Sequence, residues 1–469
     1  MEAKVEFSYG DFRIDKLVKN FYQSIIEKGS ICIRAIAGCR KKEVSFHRLI
    51  KNEKFSIEKM IQEEVIKTQS IITNEDHILC IQDSSELKFD VDRKRVREGL
   101  GPLGRPFCKG FFIHLGLLVD AKNYSILGLS DVSYWIRKEE IIVKDENGKS
   151  VKNNNYKKLP IEEKESYRWI KLSENTKSNF SHANKITIIA DRESDIYEEW
   201  DRIPERNVYL LTRASRDRIL SNNSSLYDEL DKFQPSFCYK INLSEITNKR
   251  EKRVAHVEVS YSSVEILKPK NCKDKNAKKN IILNAILVRE VTSGVPEKDR
   301  VLWRLLTTHD IKNAMDVCQI ITWYSKRWLI EQLFRTLKTQ GINIESSQLE
   351  SAESLIKLSI AGIITAVKTM QLVQARDGEN NRKINDVFQK EDFEILENLN
   401  KKLEGKTEKQ KNPHKAESLS WGSWIIARLG GWMGYSCERP PGPITIKRGL
   451  DYFQKIKVGW MLSKDVCIP

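Results

Sequence analysis

Between Trp323 and Gly341 the sequence WYSKRWLIEQLFRTLKTQG sets one carboxylate among cations. The stretch has no proline and no glycine before its end, and Gly341 stands where helices commonly stop. At about 100° per residue, Tyr324, Arg327, Glu331, Arg335 and Lys338 share one stripe roughly 80° wide. Leu329, Leu333 and Leu337 fall on the other side, so the pattern predicts one helix over 323–341 with its leucines inward. Two readings fit that stripe. A solvated face would pair Glu331 with Arg327 and Arg335 at i±4, for roughly a few tenths of a kcal/mol each. Alternatively, the cations and the tyrosine suit a phosphate backbone delivered to a metal-bound carboxylate, which requires further acids to share the metal.

Two such acids stand elsewhere. HILCIQD is a buried-strand pattern ending in Asp83, with Asp-Ser-Ser reading as a turn, and KITIIAD is an apolar strand ending in Asp191. Ligands of open α/β sheets gather at the C-terminal ends of strands. Aspartates there are also ordinary turn and cap formers, so each alone decides nothing. Together, Asp83, Asp191 and Glu331 would suit Mg²⁺, which prefers hard oxygen ligands. Two ions about 4 Å apart can activate a water or a 3′-hydroxyl and stabilise the departing oxygen at phosphorus. Competing chemistries lack their motifs. The seven histidines are scattered singly, with no H-E-x-x-H, no phosphate-binding G-x-x-x-x-G-K-[ST] loop and no G-x-S-x-G elbow. GLGPLG matches G-x-G-x-x-G in form, but a charged segment precedes it and Arg-Pro follows it, so it is dismissed as a nucleotide site.

The elements that must position these acids follow in order. Residues 1–70 read as helical, with Arg34, Arg40, Lys41 and Lys42 clustered, and fit either a DNA-binding module or a plain helical subdomain. Strands follow at Gly110 to Asp120 and Tyr124 to Ile136, then a polar loop at 144–158 and a helix in LPIEEKESYRWIKLSEN. RESDIYEEWDRI leads into a helix and NVYLLTRASR gives another strand. From about 220 to 300 the pattern is β, and VLWRLLTT is the strand before the cationic stretch. The apolar helix 354–375 comes next. Residues 377–413 are charge-rich and thinly apolar, which predicts a mobile connection with some helix, and an aromatic, glycine-rich tail closes the chain.

A chain of 469 residues exceeds what one core supports. Eighty Lys and Arg against 65 acids give a net charge of +15, a surface that favours polyanions, nucleic acid first. Nine cysteines without a C-x-x-C pair read as reduced thiols in a cytoplasm. The N-terminus lacks the apolar run of a signal peptide. The charge-free run 358–367 is half the ~20 residues needed to cross a bilayer, so no membrane is expected.

The spacing Tyr324-x2-Arg327-x3-Glu331-x6-Lys338 resembles the Tyr-Arg-Glu-Lys signature of bacterial insertion-sequence DDE transposases, the insertion-sequence-four family of cut-and-paste type. IQDSSEL and DRESDIY resemble the segments bearing that family's two catalytic aspartates, and EEKESYRW the helix ahead of the second. GDFR with HRLIKN resembles its end-recognition module, and LGGWM with PPG and KRGL its C-terminal region. The resemblance implies an α/β fold: a ribonuclease-H-like core of mixed sheet and helices with a β-strand insertion, plus helical N- and C-terminal domains. It implies an end-binding domain at 1–70, a catalytic domain at 71–375 with its insertion at about 220–300, and a dimerisation region at 376–469. Asp83, Asp191 and Glu331 would hold two Mg²⁺ (or Mn²⁺) ions and cut a transposon end. The freed 3′-hydroxyl would form a hairpin, which is reopened and joined to target DNA. Tyr324, Arg327, Arg335 and Lys338 would grip phosphates and a flipped nucleotide, and Trp303 could stack on it or sit in the core. Arg13, Lys16 and Arg48 would contact the end sequence. The partners would be double-stranded DNA and a second copy of the chain, in the cytoplasm at the bacterial nucleoid. A Mg²⁺-dependent nuclease of the same fold, or a silent DNA-binding repressor, are the alternatives.

Overall fold

The computed structural model describes residues 8–28, 30–89, 97–104, 108–138, 159–243, 253–378, 382–435 and 438–466. The expected polar loop at 144–158 and the N-terminal residues 1–7 lie outside the described residues. Apolar strands with a two-residue period build one mixed sheet of ten strands. β1 (His77–Phe89), β2 (Lys109–Asp120) and β3 (Ile126–Trp135) form an antiparallel meander. β4 (Lys185–Ala190) lies parallel to β1, and β5 (Val208–Arg213) parallel to β4. The order β3-β2-β1-β4-β5, three antiparallel strands then two parallel ones, is that of a ribonuclease-H-like core.

The expected β region does not stand apart. β6 (Phe237–Leu243), β7 (Arg253–Leu267), β8 (Asn280–Glu290) and β9 (Leu302–Thr307) extend the same sheet, because β9 pairs antiparallel with β5. A two-residue strand, Gly101–Pro102, pairs with the start of β2 in the segment that resembled a glycine-rich loop.

Alternation sorts side chains into two cores. Leu79, Ile81, Ile189 and Leu211 face one side, and Ile78, Cys80, Ile186 and Ile188 the other. The N-terminal helices α1 (Phe12–Lys28), α2 (Ile33–Ala37), α3 (Arg40–Ile50) and α4 (Ile57–Gln69) share the first core with the sheet. On the second face lie α5 (Tyr167–Asn179), α6 (Tyr197–Arg202) and α7 (Leu226–Lys232), the last a helix inside the stretch expected to be all β.

Further along, α8 (Ala314–Ser325) and α9 (Trp328–Lys338) lead to α10 (Ala352–Ala375), buried almost all round. By length and composition α10 could cross a membrane, but 89% of its apolar window is buried inside the fold. Its Lys357, 1% exposed, explains itself locally. The ammonium donates to the carbonyls of Ile50 and Asn52, each at 3.1 Å, and pairs with Glu353 at 2.8 Å. This lysine caps the end of α3 from inside the core.

The described residues of 377–413 pack against the bundle rather than forming the loose connection their charge predicted, and the helix expected within them is α11 (Phe393–Leu403). Ile384, Phe388, Ile395, Leu396 and Leu399 bury themselves in a third core with α11, α12 (Leu419–Leu429) and α13 (Pro443–Val466). A few apolar residues at helical spacing suffice because α12 supplies the aromatic bulk, and Asp392 meets Lys457 at 2.6 Å inside the bundle.

Candidate active site

Strand register brings the two aspartates level. Ile81 pairs with Ile189, and Ile189 with Leu211, across β1, β4 and β5. Two residues further on each strand are Asp83, Asp191 and Arg213, which by the same alternation face the same side as that apolar row. Asp191 follows the end of β4, as expected, and its carboxylate accepts the backbone N–H of Glu193 at 2.8 Å. Asp83 does not end its strand. β2 pairs with β1 through Asp83↔Leu115 as far as Phe89↔Lys109, so the ladder runs on where Asp-Ser-Ser predicted a turn.

The stretch 323–341 is two helices, not one. α8 begins at the Asn313–Asp316 capping box and ends at Ser325. Lys326 and Arg327 then bond three residues back, to Trp323 and Tyr324 at 3.0 Å, before α9 begins at Trp328. These tight turns bury the Tyr324 ring yet keep its hydroxyl with the cations, hydrogen-bonded to Arg327 and close to Arg213 and Asp191. Tyr324 is 5% exposed and lies edge-on to Trp303, with ring centroids 5.3 Å apart. Trp303 is half-buried against the first core. Leu333 and Leu337 point inward as expected, and α9 packs on β1, which sets Glu331 opposite the aspartates.

Arg327 lies between the first and third acids. It donates to Glu331 at 2.5 Å and approaches Asp83 to 4.0 Å. Burial pushes the Asp83 carboxyl up to about 7 against the Ser84 N–H that it accepts; Asp191 and Glu331 push the same way and Arg327 opposes. Burial would lower the Arg327 guanidinium, but Tyr324, Glu331 and Asp83 outweigh it and hold it raised. The three acids therefore sit in one electrostatic neighbourhood. They do not form a ready coordination sphere: among the described residues no group of three or more His, Cys, Asp or Glu is set to hold a metal. Asp83, raised mainly by burial and further by Asp191 and Glu331, nonetheless belongs to a hard-oxygen donor set short of positive charge, which fits a divalent cation.

Among the described residues the other expected cations make no ion pair with the three acids. Burial lowers the Lys338 ammonium, which lies 3.8 Å from Glu345. Arg335 is exposed at the end of α9. Arg13, Lys16 and Arg48 are exposed on α1 and α3, and among the described residues none of them contacts the acids. Two residues were missed in the sequence. Arg213, lowered by burial and anchored to the Leu302 carbonyl at 2.6 Å, completes the strand-end row; its place at the end of NVYLLTR was the available signal. Arg168 of α5 bonds Ser84 at 2.9 Å and Glu193 at 2.5 Å, joining the neighbours of both aspartates. No spacing in the sequence announced that link.

Residues 165–365 match the family model described as the transposase DDE domain, a stretch that begins after Asp83 and contains Asp191, Tyr324, Arg327, Glu331 and Lys338. Among solved structures, the chain is similar to a piggyBac transposase synaptic complex with hairpin DNA, at 9% identity and a TM-score of 0.40, covering 97% of this chain and 73% of that one.

Proposed function

We propose that this chain is a DNA transposase that binds transposon inverted-repeat ends, cleaves them by nick, hairpin and reopening, and joins the 3′ ends to target DNA. The observation that carries the reading is the row Asp83, Asp191 and Arg213 facing Glu331 and Arg327, with Asp83 titrating near 7. The match of residues 165–365 to a transposase DDE domain supports it. In this reading Asp83, Asp191 and Glu331 hold Mg²⁺ or Mn²⁺, two ions per site. The ions supply charge neutralisation at phosphorus and make a water or a 3′-hydroxyl a better nucleophile.

The chain's own residues do the rest. Arg327, Arg213, Lys338 and Arg335 bind phosphate oxygens, so the backbone enters where the acids lie. Arg327 changes partners from Glu331 to phosphate as DNA arrives. Trp303, half-buried and braced edge-on by the buried Tyr324, offers a ring to an extruded base, whose unstacking costs about a few kcal/mol. Arg13, Lys16 and Arg48 read the end from the domain at 1–70. The region 376–469 joins two copies in the synaptic complex, at the nucleoid of a bacterial cytoplasm.

A labelled duplex carrying the inverted repeats, incubated with protein and Mg²⁺, should give hairpin and then joined product. Nicks without joining would point to a Mg²⁺-dependent nuclease, and binding without cutting to a silent repressor. Glu331→Gln and Asp191→Asn should abolish cutting and leave end binding intact; normal cutting by either variant would refute the assignment.

A further inference from the structure

Behind the sheet, on the face away from the acids, a buried carboxyl ties together the two segments that carry Asp83 and Asp191. Glu199 of α6 is 1% exposed; its partners Ser173 and Ser194, and Gln82 beyond Ser173, are buried to the same degree. Gln82, the residue before Asp83, donates its amide to the Ser173 hydroxyl at 2.8 Å. That hydroxyl lies 2.9 Å from the Trp169 carbonyl and 3.1 Å from Glu199 Oε1. Ser194, three residues after Asp191, donates to Glu199 Oε2 at 2.6 Å.

Counting hydrogens decides the protonation state. A serine hydroxyl has one hydrogen and two acceptor positions. If Glu199 were ionised, the single Ser173 hydrogen would face two acceptors, and one of the two contacts would be oxygen against oxygen. With the proton on Glu199 Oε1, every contact has its hydrogen. The acid then donates to Ser173, Ser173 to Trp169, and Ser194 to Oε2, while Gln82 donates to the remaining lone pair of Ser173. Only Gln82 Oε1 is left without a partner in this network. A buried carboxylate served by two hydroxyls alone, with no cation beside it among the described residues, is expensive, so the fully hydrogen-bonded neutral arrangement prevails.

We infer that Glu199 is a positioning residue, held as a neutral carboxylic acid, that fixes the segments carrying Asp83 and Asp191 relative to each other. Burial raises this carboxyl to about 7 against the lowering by Ser194 and Ser173. The charged group that faces it is Asp195, which is itself saturated by Arg218 at 2.5 Å; α5 and β1 face it with Ser173 and Gln82. A second brace runs parallel through the same helix, Ser84 to Arg168 to Glu193. Residues 82 and 84 on one side of the pair, and 193 and 194 on the other, are thus all held by α5 and α6.

The test compares the wild-type chain with Glu199→Gln and Glu199→Ala. Glutamine keeps both hydrogen bonds in direction and adds one N–H, since its amide donates to Ser173 and its carbonyl accepts from Ser194. The first arm needs no activity. A carboxyl raised in the folded state costs stability as pH climbs from its unfolded value through about 7, so Glu199→Gln should match the wild type in Tm near pH 4.5 and exceed it near pH 8.5. The infrared band of a protonated carboxylic acid near pH 6 should lose intensity in the same variant. The second arm rests on the transposase reading: Glu199→Gln should cut transposon ends within about twofold of wild type, and Glu199→Ala about tenfold slower with DNA affinity unchanged, because small misplacements of reacting groups are costly. A glutamine variant less stable than wild type near pH 8.5, or an alanine variant that cuts normally, would overturn the inference. If the wild type itself cuts no DNA, the transposase reading fails while the first arm still decides the protonation state.

Discussion

Replacing Asp83 by asparagine should stabilise the metal-free protein while removing its response to divalent cations. The carboxyl is raised from 3.8 to about 7. At about 1.36 kcal/mol per tenfold, ionising it in the folded state costs about 4 kcal/mol at pH 8 as an upper bound. Its side chain is 21% exposed, and water screens part of that, so about 2 kcal/mol is the expected gain. The direction follows from the raised folded-state value. The contribution of Asp83 is fully present below about pH 3.8 and lost as pH rises through about 7, so the variant's advantage should grow over that window and then level off. Thermal unfolding at a series of pH values, with chelator present, measures it; a rise in Tm of roughly 2–4 °C near pH 8 is expected. Adding Mg²⁺ to about 100 times its dissociation constant should then stabilise the wild type by about 2.7 kcal/mol and leave Asp83→Asn nearly unchanged. A variant no more stable than wild type at pH 8, or one that gains as much from Mg²⁺, would show that Asp83 is not a desolvated acid suited to a cation.

Arg213→Ala should slow end cleavage about tenfold, as expected for losing a charge aimed at the phosphate, while lowering stability only by about the 1 kcal/mol of its bond to Leu302; cleavage at the normal rate would remove it from the site. Lys357→Met strands the carbonyls of Ile50 and Asn52 inside the core, so denaturant unfolding should show a loss of about 2 kcal/mol, and an unchanged midpoint would contradict that role. Affinity for duplex DNA should fall with salt at a slope of about −0.9 per phosphate neutralised; a salt-insensitive affinity would argue against DNA as the partner.

Most strands and helices were legible in the sequence because their apolar periods are clean: KITIIAD and NVYLLTR became β4 and β5 almost residue for residue. What periodicity does not carry is pairing. That β9 lies beside β5, making the expected insertion part of one sheet, is a long-range fact with no local signature. The same limit hid the continuation of β1 past Asp83, where β2 supplies partners that outweigh the turn preference of Asp-Ser-Ser. The cationic stripe assumed one ideal helix, whereas two three-residue turns at Lys326 and Arg327 split it, burying the Tyr324 ring while its hydroxyl stays with Arg327. Arg213 was readable as a strand-end charge, but acids were sought there and cations were not. The links through Arg168 and Glu199 depend on α5 crossing behind β1, which follows only once the fold is assembled.

The burial of α10 on nearly every side bears on how the chain acquires its shape. Helices from residues 8–70, the sheet and the C-terminal bundle all lean on this one segment, which a ribosome makes only after those helices and every strand of the sheet. Until then the early helices have only one another and the sheet to pack on, and the apolar sides that face α10 stand open to solvent or to chaperones. Synthesis interrupted before residue 352 should leave an aggregation-prone product rather than a smaller working unit, so the finished protein arises late and nearly all at once.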